Sequence, residues 1–143
     1  MPTFDDSTTT PAPPEDVRKL LYDPVRFVDW WEGIEAIRAE GHGGQGDITV
    51  YPTGYPDFPM PQNLRTDGDG RGVTISCLVS DLVFAWRLEP LADADGTRIA
   101  VHVEIPEQEA HRLDDQRAVV SASLRSLAAL AAGGATAAPR ARG

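Results

Sequence analysis

The sequence predicts an α+β fold, in which an antiparallel sheet packs against helices. Three observations predict it: two short helical segments near the start, several short strands in the middle, and one amphipathic helix near the end. The 143 residues match one typical domain, and folding would bury roughly two thirds of the unfolded surface. We expect a single domain over residues 1–132 and a flexible tail over residues 133–143, which has nothing to bury.

The first helical segment lies in "TPAPPEDVRKLLYDP". Pro13 and Pro14 can occupy its first turn, where a missing N–H group has no cost. Apolar residues recur at helical spacing on one face: Val17, Leu20 and Leu21. Asp23-Pro24 ends this helix, and "PVRFVDWW" predicts a second short helix that begins at Pro24. Two short helices joined in this way form a corner.

The middle of the chain predicts strands, which Gly, Pro or Asp residues separate. Five segments are candidates: "GIEAIRA", "GDITVY", "NLRT", "GVTISCLVS" and "DLVFAWRLEP". Asp95-Gly96 indicates a hairpin that leads into a further strand from Thr97 to Ile105. Ser80-Asp81 leaves two alternatives open, a turn between two strands or a bulge within one long strand.

The C-terminal segment changes to helical periodicity. Its apolar residues are spaced seven, four, three and four apart: Leu113, Val120, Leu124, Leu127 and Ala131. This spacing predicts one face of a helix about five turns long, which Gly133-Gly134 ends. An amphipathic helix of this length is expected to cover one face of the sheet.

Short motifs along the chain resemble one family. They are Ala12-Pro13 with Val17, Leu21 with Asp23-Pro24, Trp30 with Trp31, and Leu88-Glu89-Pro90 with Gly96-Thr97-Arg98. Together they resemble the START-related (SRPBCC) superfamily, which includes polyketide cyclase/dehydrase and lipid-transport proteins. The resemblance covers Thr8 to Ala132 and implies a START-like helix-grip domain. In that fold a curved antiparallel sheet wraps around the long C-terminal helix and leaves a cavity, and "TFDDSTTT" would be an edge strand.

Composition excludes several classes of partner. The net charge of −9 argues against nucleic acid and anionic membrane surfaces, both of which attract basic proteins. No run of about 18 apolar residues could span a bilayer, and the start lacks a signal peptide, so we expect a cytoplasmic protein. The single Cys77 is interpreted as a small buried hydrophobe, and no Cys/His spacing suits zinc, so we expect no metal and no cofactor. The sequence does not decide whether the protein forms a homodimer.

The cavity that the resemblance implies would take a small hydrophobic molecule. Alternation along "LVFAWRL" places Phe84 and Trp86 on one large apolar face, which must point inward. The residues expected to line the cavity are Trp30, Trp31, Tyr51, Tyr55, Phe58, Met60, Asn63, Arg65, Cys77, Phe84, Trp86, Leu124 and Leu127.

The segment "YPTGYPDFPMP", residues 51–61, combines four prolines with apolar and aromatic residues. This proline content argues against a regular strand or helix. Because proline lowers the entropy of the unfolded chain, a defined conformation costs less here than in a glycine-rich loop. We interpret the segment as an ordered lid, with Tyr55, Phe58 and Met60 facing Trp30 or Trp31 and the C-terminal helix.

The resemblance identifies no catalytic residue, and the residues supply only weak candidates. Arg65, next to Asn63, could hold a carboxylate or a phenolate with its planar guanidinium, although it could equally be an exposed strand residue. His102 and Glu104 lie on one strand face and could act as an acid/base pair, or could be solvated on an outer sheet face. We therefore rank hydrophobic ligand binding first, a polyketide cyclase/dehydrase-like enzyme second, and a partner-binding domain third.

Overall fold

A computed structural model of the chain describes residues 2–39, 46–52, 54, 57, 59–68, 70–78, 82–91 and 96–133. The strands are β1 (Thr3–Thr10), β2 (Ile34–Ala39), β3 (Gly46–Pro52), β4 (Met60–Thr66), β5 (Gly72–Cys77), β6 (Val83–Pro90) and β7 (Thr97–Glu104). The helices are α1 (Pro14–Leu21), α2 (Phe27–Trp30) and α3 (Leu113–Ala132), with 3₁₀ segments at Pro24–Arg26 and Glu107–Arg112. The predicted element order is confirmed.

The seven strands form one antiparallel sheet in the order β1-β7-β6-β5-β4-β3-β2. The predicted edge strand is confirmed, because β1 lies at one end of the sheet and pairs with β7 from Thr3 opposite Glu104 to Thr10 opposite Thr97. The sheet is curved, and α3 supplies a long C-terminal helix of 20 residues that packs on it. This architecture is the helix-grip arrangement.

The helical corner is fastened to the sheet by side-chain hydrogen bonds. The Tyr22 hydroxyl donates to the Gly72 carbonyl at 2.9 Å and accepts from the Gly72 N–H at 3.0 Å. The Trp30 indole N–H donates to the carbonyl of Leu20 at 3.2 Å, which joins α2 to α1. The apolar stripe predicted for the first helix is fully buried. The corner therefore has a fixed position on the inner face.

The structure decides between the two alternatives at Ser80-Asp81. β5 and β6 are separate strands that pair antiparallel, with Ser76 opposite Val83. The Cys77 N–H donates to the Leu82 carbonyl at 2.9 Å, so the chain reverses between these two residues and does not continue as one bulged strand. Residues 79–81, which connect the strands, lie outside the described residues.

The proline-rich segment contains more regular structure than its composition suggests. Pro52 ends β3, and Pro61 lies in β4 opposite Thr49, so both ends of the segment are strand and the expectation of no strand is corrected there. Proline removes only the backbone donor, and the carbonyl of Pro61 still accepts a hydrogen bond from the Leu78 N–H at 3.0 Å. Tyr55 and Phe58 lie outside the described residues, so the lid stays a prediction.

The core contains a cluster of five aromatic rings, which joins the corner to β6. Its members are Phe27, Trp30, Trp31, Phe84 and Trp86. Neighbouring ring centroids lie 5.1 to 5.4 Å apart, and most pairs are edge-on or tilted, the geometry that aromatic quadrupoles prefer. The predicted inward face of β6 is confirmed, because Leu82, Phe84, Trp86 and Leu88 are all buried.

Candidate ligand cavity

A cavity of about 170 Å³ lies between the sheet and the first half of α3. Its floor comes from the inward faces of β3 to β6 and the residue that precedes β6: Ile48, Val50, Pro52, Met60, Gln62, Ile75, Leu82 and Phe84. Its walls come from the corner and from the start of α3: Phe27, Trp31, Glu32, Gly33, Ile34, Arg112, Gln116 and Val119. Most of these side chains are apolar, so the interior suits a hydrophobic molecule.

Strand alternation explains why these residues form the floor. Successive side chains of a strand point to opposite faces, so Ile48 and Val50 share one face of β3, and Gln62 and Leu64 share one face of β4. The register places Gln62 opposite Ile48 on one side and opposite Cys77 on the other. Three adjacent strands therefore contribute to one inward surface.

Trp31 forms the wall between the cavity and the aromatic cluster. It is 8% exposed, lines the cavity with Phe84, and contacts Trp86 with ring centroids 5.2 Å apart. Trp86 is 2% exposed and does not line the cavity. Its indole Nε1 has no hydrogen-bond partner among the described residues, although a buried indole N–H usually has one. The unpaired donor therefore lies on a ring that packs directly against Trp31.

Gln62 is the buried polar side chain of the cavity floor. It is 8% exposed, and the part of the chain that the structure describes gives its amide no side-chain hydrogen bond. A primary amide can donate two hydrogen bonds and accept two more. The floor therefore offers a donor and an acceptor to whatever occupies the cavity.

Charged and polar side chains stand at the rim of the cavity. The Arg112 guanidinium donates to Glu109 Oε1 at 3.0 Å, and Gln116 follows one helical turn later. On the facing wall, the Glu32 carboxylate accepts a hydrogen bond from the Ser126 hydroxyl at 3.4 Å. The rim could therefore meet a polar or ionised end of a bound molecule.

A serine in α3 holds the corner wall in place. The Glu32 N–H donates to Ser123 Oγ at 2.9 Å, and the Ser123 hydroxyl donates to the Val119 carbonyl at 2.7 Å. Ser123 is fully buried. The Ser123 hydroxyl thus forms one hydrogen bond with the backbone of the corner wall and one with the backbone of α3.

The structure separates the residues predicted to line the cavity into three groups. Trp31, Met60 and Phe84 line it. Five others are buried in the surrounding core without lining it: Trp30, Cys77, Trp86, Leu124 and Leu127. The remaining described residues, Tyr51, Asn63 and Arg65, lie on the opposite sheet face.

The placement of Asn63 and Arg65 corrects the expectation that they stand at the cavity mouth. They alternate along β4 with the inward residues Gln62 and Leu64, so their side chains point to the outer face. Tyr51 is corrected for the same reason, because it follows the inward Val50 on β3. Arg65 is exposed, and none of the three lines the cavity.

His102 and Glu104 also lie on the outer face, where they form a cluster with Asp5 of the neighbouring strand. His102 Nδ1 lies 2.8 Å from Asp5 Oδ1, and His102 Nε2 lies 3.4 Å from Glu104 Oε2. The hydrogen bond to Asp5, together with the negative charges of both carboxylates, raises the pKa of His102 above its ordinary value of 6.5. The cluster is on the solvated face, away from the cavity.

Sequence reasoning missed the polar residues of the cavity: Glu32, Gln62, Arg112 and Gln116. The signal for Gln62 was its position two residues before Leu64 in a predicted strand. Residues two apart share one face of a strand, so Gln62 faces inward with the apolar Leu64. The signal for Gln116 was the gap of seven between Leu113 and Val120, which leaves a polar residue on the apolar helix face.

Two features are absent from the residues that the structure describes. None of the described helices is both long and apolar enough to cross a bilayer. Within the same residues, no group of three or more His, Cys, Asp or Glu side chains is arranged to hold a metal ion.

Solved structures with the same architecture agree on the fold. The Zhui aromatase/cyclase from Streptomyces sp. R1128 superposes with a TM-score of 0.71 at 19% identity, over 96% of this chain and 97% of that chain. The chain has the helix-grip fold. The helix-grip protein XoxI from Bacillus cereus superposes with a TM-score of 0.70 at 16% identity, over 90% of this chain and 94% of that chain.

A two-domain protein of similar fold matches over part of its length. The di-domain aromatase/cyclase BexL, from the BE-7585A biosynthetic pathway, gives a TM-score of 0.72 at 14% identity. The match covers 90% of this chain and 46% of BexL. No protein-family model and no curated protein sequence matches the chain. At these identities the likeness concerns the helix-grip fold alone.

Proposed function

We propose that the protein binds a small hydrophobic molecule in the cavity between the sheet and α3. The observation that carries the proposal is the cavity of about 170 Å³ with its mostly apolar lining. Protein interiors are close-packed, and most of this core is filled. An apolar space next to such a core leaves hydrophobic surface that a ligand could cover.

The size of the cavity sets the size of the ligand. A dry apolar cavity of about 150 Å³ in another protein holds benzene, whereas pockets for drug-sized ligands begin near 300 Å³. The cavity of about 170 Å³ therefore fits a molecule of one or two rings, or a short acyl chain. A larger ligand would require the walls to move.

A binding panel with two matched variants tests the proposal. Purified protein is titrated with short fatty acids, one- and two-ring aromatic acids and polyketide-like phenols, while tryptophan emission and melting temperature are followed. Because Trp31 lines the cavity, at least one compound class should change the emission and raise the melting temperature. Val119→Phe, which fills the cavity from α3, should abolish the response, and Thr74→Phe on the outer face of β5 should preserve it.

The proposal fails if the whole panel leaves both signals unchanged. It also fails if Val119→Phe keeps wild-type affinity while the variant remains folded, because the ligand would then bind elsewhere.

A second candidate function is a polyketide cyclase-like reaction in the same cavity. The observation that favours it is the polar rim, where Glu32, Arg112 and Gln116 surround an apolar interior. A cavity of this kind could fold a reactive chain and supply one acid/base group. Neighbouring polyketide synthase genes would favour this function, and mass spectrometry of the panel compounds after incubation distinguishes a converted compound from one that is only bound.

A further inference from the structure

Gln62 is a polar side chain in a place where an apolar one would complete the floor. Its two cross-strand neighbours are Ile48 and Cys77, and its inward neighbour along the strand is Leu64. None of these offers a strong hydrogen-bonding group to an amide. The neighbours on the sheet therefore cannot satisfy Gln62.

The cavity is the remaining direction in which the amide of Gln62 can find a partner. The side chain lines the cavity, is 8% exposed, and makes no side-chain hydrogen bond within the described residues. The amide atoms are reached from the cavity, and a ligand that displaced water from them would leave the amide unpaired unless the ligand carried a matching group. A leucine at this position would suit a purely apolar ligand better.

The surroundings of Gln62 also limit the charge of that matching group. The charged side chains of the cavity, Glu32 and Arg112, are exposed residues at the rim. An ionised group at the floor would lose its hydration and gain one neutral amide in return, which does not compensate. A neutral hydroxyl or carbonyl group loses far less hydration, and one amide can satisfy it.

We infer that Gln62 recognises an uncharged hydroxyl or carbonyl group on a one- or two-ring hydrophobic ligand. The inference rests on the proposed function and adds a ligand class and a specificity-determining residue to it. The rings lie against Trp31 and Phe84, and the polar group reaches the amide at the floor. A hydroxyl of a phenol suits this site because it can donate to the amide oxygen or accept from the amide nitrogen.

The experiment compares 4-ethylphenol with ethylbenzene, which has the same carbon skeleton but no hydroxyl. Dissociation constants for both probes are measured by NMR titration of the wild type, of Gln62→Leu, and of the control Gln108→Leu, which changes an exposed residue outside the cavity. We expect the preference for 4-ethylphenol over ethylbenzene to fall by about tenfold in Gln62→Leu, because one hydrogen bond is lost. The control should keep the wild-type preference, and the Gln62 side-chain NH₂ signal should shift with 4-ethylphenol only.

The outcomes separate this inference from the proposed function. If both probes bind and Gln62→Leu leaves their ratio unchanged, the role of Gln62 is overturned and ligand binding stands. The same conclusion follows if the Gln62 NH₂ signal does not respond to the phenol. If neither probe binds the wild type at millimolar concentration, the inference fails, and failure of the wider panel as well would overturn the proposed function.

Discussion

The inner face of the sheet is covered by closely packed side chains at one end, the filled region, and borders the cavity at the other, the hollow region. The strands of both regions show the same alternation of inward and outward side chains. Strands β1 and β7 and the later part of β6 lie under α1 and the second half of α3, where large side chains fill the space. Strands β3 to β5 and the start of β6 face the first half of α3 across the cavity. The two regions differ mainly in the residues that the helix turns towards the sheet.

The helix residues show how this difference arises. The second half of α3 buries Leu124, Leu127 and Ala131, whereas the first half presents Gln116 and Val119 to the cavity. A polar residue thus interrupts the apolar face of the helix at the place where it crosses the hollow region. A polar residue within the apolar face of a helix can therefore indicate a cavity next to that helix.

Truncation of Trp31, the wall between the cavity and the aromatic cluster, should have the largest effect on stability and on ligand size. Trp31→Ala is expected to cost about 4 kcal/mol in the free energy of unfolding, because a large buried ring leaves a space behind. It should also extend the cavity towards Trp86 and admit three-ring ligands that the wild type binds weakly. Urea denaturation with and without such a ligand measures both effects.

A control keeps this prediction testable if the alanine variant does not fold. Trp31→Phe removes less volume and should show the same change in ligand size at a smaller stability cost. Unchanged preference for ligand size in a folded Trp31 variant would contradict the role of Trp31 as a wall.

Matched truncations in α3 test the difference between the two regions directly. Leu127→Ala in the filled region should cost about 3 kcal/mol, since the side chain is fully buried. Val119→Ala beside the cavity should cost about 1 kcal/mol, because its side chain is only half-buried and already borders open space. Equal losses in urea denaturation would show that the hollow region is packed as firmly as the filled one.

The smallest effect is expected on the outer face of the filled region, where His102 links β7 to β1. The pKa of His102 is raised in the folded state by Asp5 and Glu104, so its contribution to stability is full below pH 6.5 and is lost as pH rises through the folded-state pKa. His102 is 42% exposed and Asp5 is 75% exposed, so solvent screening keeps the contribution below about 1 kcal/mol.

The measurement compares urea denaturation of the wild type and of His102→Gln at pH 6 and pH 8.5. The wild type should lose stability relative to the variant as pH rises, and added salt should reduce the difference. A difference that is constant with pH, or that grows towards high pH, would contradict the assignment.

The fold was predictable because its determinants are local. Pro24 at a helix start, the glycine turn at Gly96 and the apolar spacing of the last helix each specify an element without knowledge of its neighbours. The edge position of β1 came from the family resemblance, since eight mostly polar residues carry little strand signal of their own.

The site was less predictable because it depends on strand register and on packing between distant segments. Arg65 and Gln62 are three residues apart in one strand and so lie on opposite faces, and the inward position of Leu64 decides that Gln62 is the inward one. The burial of Leu124 and Leu127 was predictable from their spacing, but their distance from the cavity depends on where α3 crosses the sheet.

The aromatic cluster has an optical consequence. All three tryptophans of the chain belong to it, and the ring centroid of each lies 5.2 to 5.4 Å from those of the other two. At such separations excited indoles exchange energy before they emit, so the three rings behave as one chromophore. A molecule that touches Trp31 alone would therefore alter the light emitted by Trp30 and Trp86, and the whole cluster would report on the cavity.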